Sequence, residues 1–200
     1  MRPNKTLYLL SIILAFSLAG LSGVYAQNKG KTAIKAVPRV DLNRYAGKWY
    51  EIAKYPNKFQ KQCVGNTTAE YSIKSNGRIE IVNECVRKNG TKDRAVGEAK
   101  IADKRSNAKL KVRFAPGLFS ILPFVWGDYW VIELDDQYQY AVIGEPRRDY
   151  FWILSRQAEI DDATLQAILR RAEAVGYNPG KVERTRQNLT ILRGTVIPGT

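Results

Sequence analysis

Short segments of alternating character fill most of this chain. Eight of them are rich in β-branched and aromatic residues and are separated by turn signals. Within them the side chains alternate, so that Ala69 and Tyr71 face one way while Glu70 and Ser72 face the other. The predicted strands are 47–55, 67–74, 78–86, 94–102, 109–114, 129–134, 138–144 and 150–156. Eight successive short strands predict an all-β, up-and-down antiparallel barrel.

One helix is predicted after the strands. Asp161 can cap its start, an apolar stripe follows, and Gly176 can end it, so the helix spans about 162–175 and packs outside the barrel. The segment 181–189 alternates weakly and suggests one more strand. We therefore expect one domain over 39–190, preceded by a flexible lead-in at 27–38 and followed by a tail at 191–200.

The first 26 residues have the pattern of a cleaved export signal. Arg2 and Lys5 precede an apolar run from Leu7 to Leu21. In Val24-Tyr25-Ala26, small residues stand at the positions that a signal peptidase recognises. An uncleaved membrane anchor is the alternative. No cysteine lies directly after the apolar run, where a lipid anchor would be attached, so a lipid-anchored form is not expected. The expected location is the periplasm or the exterior.

The charge of the chain is strongly basic. The formal net charge is +13, from 32 Lys and Arg against 19 Asp and Glu. Because the basic residues are spread along strands and helix, and because an exported protein rarely meets DNA, nucleic acid is not an expected partner. An anionic membrane surface is a more natural electrostatic partner. The sequence is compatible with either a monomer or a weak homodimer.

The absence of histidine removes several classes of function. The chain has no His at all. This excludes Ser-His-Asp and Cys-His catalysis, histidine-ligated haem and most catalytic zinc sites, which need an imidazole. No metal and no cofactor are predicted.

A glycine two residues before a tryptophan marks the start of the first strand. Gly47 precedes Trp49 in the pattern N-x-[FY]-x-G-x-W-Y, and we expect Gly47 to permit a close backbone approach that a Cβ would prevent. The buried indole N–H of Trp49 needs a partner. This pattern resembles the first signature of the lipocalins, exported barrels that carry small hydrophobic molecules. The matching residues are Asn43, Tyr45, Gly47, Trp49 and Tyr50.

Two further segments extend the resemblance, which runs from about 40 to 188 and is closest to the bacterial and apolipoprotein-D-like branch. The run from Tyr150 to Arg156 resembles the third signature, whose arginine stacks across the tryptophan that closes the barrel. The resemblance therefore pairs Arg156 with Trp49. The segment 135–141 corresponds to the second signature, a T-D-Y-type turn, but matches it only in part.

Two cysteines, Cys63 and Cys85, most economically form one disulfide in an exported protein. Cys85 faces a residue near Thr67 in the predicted hairpin, so a straight strand would leave Cys63 too far away. The bridge requires the chain around Gly65 to fold back, which glycine permits. Two separate thiols are the alternative.

The barrel interior is the expected ligand site. An apolar wall suits an acyl chain or an isoprenoid, although each such residue could equally be filled core. The candidate wall residues are Ala53, Tyr55, Tyr71, Ile81, Ala99, Leu110, Val112, Phe114, Trp130, Ile132, Tyr140 and Val142. Glu51 is the exception among the inward positions. Its carboxyl group must be bonded, paired or protonated, and we favour a structural role over binding a ligand head group.

A long apolar connection, 115–128, lies between the fifth and sixth strands at the open end. It either folds inward as a lid or meets a membrane or a partner, because exposed apolar patches usually mark contacts. The residues that would make this contact are Leu118, Phe119, Leu122, Phe124 and Trp126. Basic residues of the neighbouring loops would surround it and favour anionic lipid. These residues are Lys58, Lys61, Arg87, Lys88, Lys92, Arg147 and Arg148.

The sequence therefore supports three functions. The first is an exported carrier of fatty acids, lysolipids or similar molecules in cell-envelope maintenance. The second is an envelope protein that binds a membrane or partner through 115–128 and has a filled barrel. The third and weakest is a lipid-modifying enzyme that uses Glu51 and tyrosines.

Overall fold

The computed structural model describes residues 32–114, 126–192 and 195–198. The predicted signal segment 1–26 and the predicted contact residues Leu118, Phe119, Leu122 and Phe124 lie outside these residues. Within the described part, no helix is both long and apolar enough to cross a bilayer.

Eight antiparallel strands form the body of the protein, and each corresponds to a predicted strand. They are β1 (Gly47–Lys54), β2 (Cys63–Ile73), β3 (Ile79–Arg87), β4 (Lys92–Ile101), β5 (Lys109–Arg113), β6 (Gly127–Leu134), β7 (Tyr140–Gly144) and β8 (Trp152–Ser155). Each strand pairs with the next, and β1 pairs with both β2 and β8. The sheet is therefore closed into the predicted barrel, which leaves no free edge among these eight strands.

Two α-helices accompany the barrel within the described residues. The short α1 (Leu42–Tyr45) leads into β1, and α2 (Asp162–Ala174) follows β8. Asp161 caps α2 as predicted, since its side chain accepts a hydrogen bond from the Thr164 N–H at 2.8 Å. The apolar stripe of α2 packs against the outside of the barrel in what we call the outer cluster. Its fully or mostly buried members are Ile34, Ile52, Ala53, Tyr55, Val142, Phe151, Ile153, Leu165, Ile168, Ala172 and Tyr177.

The segment after α2 completes the wall between β1 and β2. After a 3₁₀ turn at Pro179–Lys181, β9 (Glu183–Arg184) pairs with the end of β1. The chain then bonds to both diverging strands, because Thr185 N–H donates to the Ile52 carbonyl at 2.9 Å and Asn66 N–H donates to the Arg186 carbonyl at 2.7 Å. The additional strand that 181–189 suggested is thus present.

The described parts of the lead-in and the tail, which were expected to be irregular, make regular contacts. Strands β10 (Leu189–Leu192) and β11 (Thr195–Pro198) pair with each other across the expected start of the tail at 191. In the lead-in, the Val37 N–H donates to the Val131 carbonyl at 2.9 Å and Ile34 is only 9% exposed. The part of the lead-in from residue 32 onward therefore packs on the barrel, because its few apolar side chains find buried positions there.

Cys63 and Cys85 form the expected disulfide, with their Cα atoms 5.6 Å apart. The register of β2 against β3 shifts on either side of Gly65, which has a φ of +154°. These irregularities bring Cys63 back toward Cys85, as the hairpin register required. A Cβ at Gly65 would also clash with the Arg186 carbonyl oxygen, so the C-terminal segment depends on this glycine.

Candidate ligand-binding site

Trp49 closes one end of the barrel beneath Arg156. The indole is fully buried and its Nε1 donates to the Tyr45 carbonyl at 2.8 Å. The Arg156 guanidinium carbon lies 3.8 Å from the ring centroid. We call this end the closed end. The pairing inferred from the resemblance is confirmed.

The three signature segments meet at the closed end. Arg156 donates to the carbonyl oxygens of Lys48 at 2.7 Å and Arg44 at 2.6 Å. From the second signature, the Tyr138 hydroxyl accepts from the Asp41 N–H at 2.8 Å, and its ring lies 4.0 Å from the Arg44 guanidinium carbon. The partly matched turn therefore occupies the place of the second signature.

Gly47 is needed for its backbone conformation. Its φ is +89°, which L side chains rarely adopt. A Cβ there would lie 3.6 Å from Arg156 Nη1, an ordinary contact. The expectation of a close approach at Gly47 is therefore wrong, and positive φ is the reason for glycine. Of the other signature residues, Asn43 is exposed, and Tyr50 lies on the outer side with the Lys48 ammonium 4.7 Å from its ring.

The interior of the barrel is lined by the buried residues that pack with Trp49, which we call the inner cluster. Five predicted wall residues belong to it or pack against it. These are Tyr71, Ile81, Ala99, Leu110 and Val112. Phe114 lies on the same face, with its ring over Gly97, where a Cβ would approach the ring carbons to 2.5 Å. Phe114 is 41% exposed, so this part of the inner wall is accessible.

Six predicted wall residues lie on the opposite face, in or against the outer cluster under α2, so the prediction that they face the interior is wrong. They are Ala53, Tyr55, Trp130, Ile132, Tyr140 and Val142. In β1 the pairing with β8 shifts between Glu51 and Ala53, which reverses the alternation. In β6 and β7 both faces are apolar, because a helix covers the outer face. The inner face therefore cannot be recognised from which face carries the larger apolar side chains.

Sequence reasoning consequently missed a set of inner residues. Tyr129 and Ala141 are buried in the inner cluster, each next to a residue that had been assigned inward. Cross-strand pairing places others on the inner face, since Trp49 pairs with Ala69, Ala69 with Asn83, and Asn83 with Ala95. The alternation had already placed Ala69 on the same face as Tyr71, although the predicted wall did not include it. The inner residues left out of the predicted wall are Ala69, Asn83, Ala95, Gly97, Tyr129, Val131, Ala141, Ile143, Trp152 and Leu154.

Three tyrosine hydroxyls form a buried network near the closed end. The Tyr129 hydroxyl lies 2.7 Å from that of Tyr45 and 2.9 Å from that of Tyr71. Burial raises the pKa of Tyr71 to about 12 and holds the pKa of the other two well above the usual value. All three therefore remain neutral hydrogen-bonding groups at physiological pH.

Glu51 lies in a fully bonded polar group on the wall between β1 and β2. One carboxyl oxygen accepts from Gln60 Nε2 at 2.5 Å and the other from the Thr185 hydroxyl at 2.6 Å. Gln60 also accepts from Trp152 Nε1 at 3.1 Å, which ties the β1–β2 loop to β8. Burial raises the pKa of Glu51, although both hydrogen bonds and Lys54 oppose the shift. These partners support the structural role that the sequence favoured.

The open end carries exposed aromatic and basic groups. Phe59 is 59% exposed and lies 5.8 Å from Tyr150, which stacks on Trp152 at 5.7 Å. The Lys58 ammonium lies 5.4 Å from the Phe59 ring. Trp126, at the end of the apolar connection, instead packs on the outer wall, with its ring 4.4 Å from the Lys100 ammonium.

One group of potential metal ligands occurs among the described residues, formed by Cys63, Cys85 and Asp93. Both sulfurs belong to the disulfide and offer no thiolate. The Asp93 carboxylate is bonded to Gln62 at 2.6 Å and to Arg87 at 2.5 Å. These atoms are better explained as a structural group that stabilises the open end.

Comparison with known proteins identifies the family. The lipocalin-like domain model matches residues 40–187. The chain is 40% identical over 162 residues to temperature-induced lipocalin-1 of Arabidopsis thaliana, covering 80% of this chain and 86% of that protein. It is 33% identical over 184 residues to the outer membrane lipoprotein Blc of Citrobacter freundii, covering 90% and 97%. It is 32% identical over 169 residues to apolipoprotein D of Macaca fascicularis, covering 77% and 84%.

Solved structures agree in fold. Insecticyanin from the tobacco hornworm Manduca sexta superposes with a TM-score of 0.61 at 25% identity, covering 76% of this chain and 83% of that one. H1 crustacyanin from the lobster Homarus americanus gives 0.56 at 16% identity, covering 78% and 89%. The closed barrel, the tryptophan under its arginine and these matches lead to one conclusion: the chain belongs to the lipocalin family, in the group that includes Blc and apolipoprotein D, and this membership supports binding of small hydrophobic molecules.

Proposed function

We propose that this protein is an exported carrier of small lipophilic molecules, such as fatty acids or lysophospholipids, that acts in storage or maintenance of cell-envelope lipids. The observation that carries the proposal is an apolar inner wall that is sealed at one end and accessible at the other. Trp49 is fully buried, whereas the inner-wall residues Ala95 and Phe114 are exposed. Such a wall can shield an acyl chain from water, which favours binding by about 0.8 kcal/mol for each buried methylene.

Export is supported by the disulfide and by the relatives. A disulfide persists in oxidising compartments. One relative is named an outer membrane lipoprotein and another an apolipoprotein, and we extend export and lipid-related function from them to this chain. The apolar run at 7–21 is the proposed signal.

We propose binding rather than catalysis. Both carboxyl oxygens of Glu51 are already hydrogen-bonded, and the chain has no histidine to serve as a base. Turnover of a lipid by purified protein that disappears in Glu51→Gln would contradict this part of the proposal.

The test is binding of an environment-sensitive acyl probe, followed by its fluorescence and by quenching of tryptophan emission. We expect one saturable site, from which an unlabelled fatty acid or fatty alcohol displaces the probe. Failure of both competitors would contradict the carrier function.

A matched pair of variants locates the site. Ala95→Trp places a large ring on the exposed inner wall and should block binding. Val96→Trp places the same ring on the outer face of the same strand, where Val96 is 47% exposed, and should bind like the wild type. Equal loss of binding in both variants would contradict an interior site.

A second candidate function is contact with an anionic membrane through the open end. It is favoured by the exposed Phe59 ring and by Lys58 and Arg147 in the neighbouring loops. Co-sedimentation with liposomes that contain an anionic lipid should weaken in Phe59→Asp. Unchanged co-sedimentation would contradict this second function without affecting the first.

A further inference from the structure

Basic side chains from three neighbouring strands surround Trp126 on the outside of the barrel. The Lys100 ammonium lies 4.4 Å from the centroid of its ring, and the guanidinium carbons of Arg113 and Arg78 lie at 4.5 and 5.5 Å. A second tryptophan of this wall is treated in the same way, since the Lys109 ammonium lies 4.2 Å from the ring of Trp130. We call the basic side chains of this face the basic patch: Arg78, Lys100, Lys109, Lys111 and Arg113.

Strand pairing brings these residues together although they are far apart in the sequence. Ala99 of β4 and Val112 of β5 pair with each other and belong to the inner wall, so the residues next to them along each strand face outward. Lys100 is thereby directly opposite Lys111. The basic residues that are spread along the strands in the sequence therefore form one continuous surface in the barrel.

Positive charge is in excess on this surface. The carboxylates of the face are Glu80, Glu98 and Asp128, and each is already paired with at least one basic side chain. Glu98 serves two arginines, at 3.4 Å from Arg78 and 2.7 Å from Arg113. Within the described part of the chain, Lys100 and Lys109 make no ion pair. Like charges directly opposite each other destabilise a sheet, so an added anion would relieve the repulsion between Lys100 and Lys111.

The tryptophans hold the cations in place while leaving their hydrogen-bond donors available. A cation–π contact uses the face of the ring and consumes no N–H group, and an ammonium carries three donors and a guanidinium five. Lys100 is exposed to solvent. Side chains that are already ordered lose less conformational entropy when a ligand binds. The patch is thus prepared to donate several charge-assisted hydrogen bonds to oxyanions.

The shape of the face restricts the kind of anion that fits it. Strands β3 to β6 are each paired on both sides, so a peptide cannot be added here as a further strand. Both tryptophans are partly buried against basic side chains, so the patch presents charge rather than apolar groups that would insert into a bilayer. A flexible polymer with many sulfate, phosphate or carboxylate groups can follow the convex wall and contact several cations together.

We propose that the basic patch is a binding site for an anionic polysaccharide. Its oxyanions lie between Lys100, Lys111 and Arg78 and accept hydrogen bonds from them, while Trp126 and Trp130 keep the cations in position. The choice of a polysaccharide rests on the proposed export, because this is the class of polyanion that an exported protein meets. The site lies on the outer face of the barrel wall and is separate from the proposed lipid site inside it.

The test measures binding of labelled dextran sulfate, with uncharged dextran as the control polymer. The double variant Lys100→Gln with Lys109→Gln removes two cations and breaks no ion pair, and it should weaken binding by about 5- to 10-fold. Lys61→Gln with Lys88→Gln is matched to it, because it removes the same charge from two exposed lysines in loops of the open end, and it should stay within about 2-fold of the wild type.

A third variant separates an ordered site from net charge. Trp126→Leu keeps every charge but removes the ring that orders the cations, and it should weaken binding by about 3-fold. All variants should bind the acyl probe like the wild type and keep its thermal midpoint. If Trp126→Leu lowers the thermal midpoint, the two lysine double variants, which alter only partly or fully exposed side chains, decide the question.

Several outcomes overturn the proposal. Equal weakening in the two lysine double variants would show that net charge alone attracts the polymer. Equal binding of dextran sulfate and uncharged dextran by the wild type would show that no anion site exists. If the Lys100 and Lys109 variant loses co-sedimentation with anionic liposomes but still binds dextran sulfate fully, the patch recognises a membrane instead. Failure of the acyl probe to bind the wild type contradicts the carrier function and leaves this site untouched.

Discussion

Arg156 joins the last strand of the barrel to the first through Trp49. Its guanidinium stacks on the indole at 3.8 Å and donates to the carbonyl oxygens of Lys48 and Ala46 at 2.7 and 2.9 Å. Trp49 donates in turn to the Tyr45 carbonyl, which also accepts from Arg156 at 3.2 Å. The planar, five-donor guanidinium therefore satisfies carbonyls that the turn before β1 leaves unpaired.

Arg156→Lys should destabilise the protein by about 2–4 kcal/mol, because lysine keeps the charge but cannot stack and bond several carbonyls together. Denaturant unfolding measures the change. Arg105→Lys is the control: its side chain is 98% exposed, so it should stay within about 0.5 kcal/mol of the wild type. Equal effects of the two substitutions would contradict the structural role of Arg156.

The stability of the wild type relative to Glu51→Gln should fall as pH rises. Burial raises the folded-state pKa of Glu51 above its ordinary value of 4.5, so the native state binds the proton more tightly than the unfolded state. The protonated group therefore contributes its full stability below the unfolded pKa, and this contribution decreases as pH rises through the folded pKa. Urea unfolding of both proteins from pH 4.5 to pH 8 checks the prediction. A difference that is constant with pH would contradict it.

Removing the disulfide should cost about 3 kcal/mol, since the cysteines are 22 residues apart and the closed loop restricts the unfolded chain. The double variant Cys63→Ala with Cys85→Ala measures this in urea. Dithiothreitol should lower the stability of the wild type and leave the double variant unchanged. If the reductant affected both proteins alike, the loss could not be assigned to the disulfide.

Gly97→Ala should destabilise the protein by about 1–3 kcal/mol and weaken probe binding, because the new methyl would meet the Phe114 ring at 2.5 Å and the Arg113 carbonyl at 2.7 Å. Gly127→Ala is matched to it, since a methyl there meets the Val112 carbonyl at an ordinary 3.9 Å. Unfolding and probe titration of both variants test whether the close packing of Phe114 shapes the inner wall. Similar results for the two glycines would show that it does not.

Local sequence patterns predicted correctly those features that a single segment of the chain determines. The alternating strands and the Asp161 cap were predicted from local patterns and are present. The contact of Trp49 with Arg156 is also present, but it was predicted from the resemblance to the lipocalins. The disulfide was predicted together with the irregular backbone at Gly65 that it needs. The strands and the helix cap depend on short-range patterns, so neighbouring residues determine them.

Residue patterns alone therefore predict a barrel of eight strands with one outer helix, and the motifs shared with the lipocalins add the tryptophan under its arginine. Tertiary packing determines which faces of β6 and β7 point inward, because α2 covers the outer side and makes both faces apolar. It also determines that the shift in β1 turns Ala53 outward. The binding wall is assembled from many strands, and the orientation of each depends on partners that are distant in the chain.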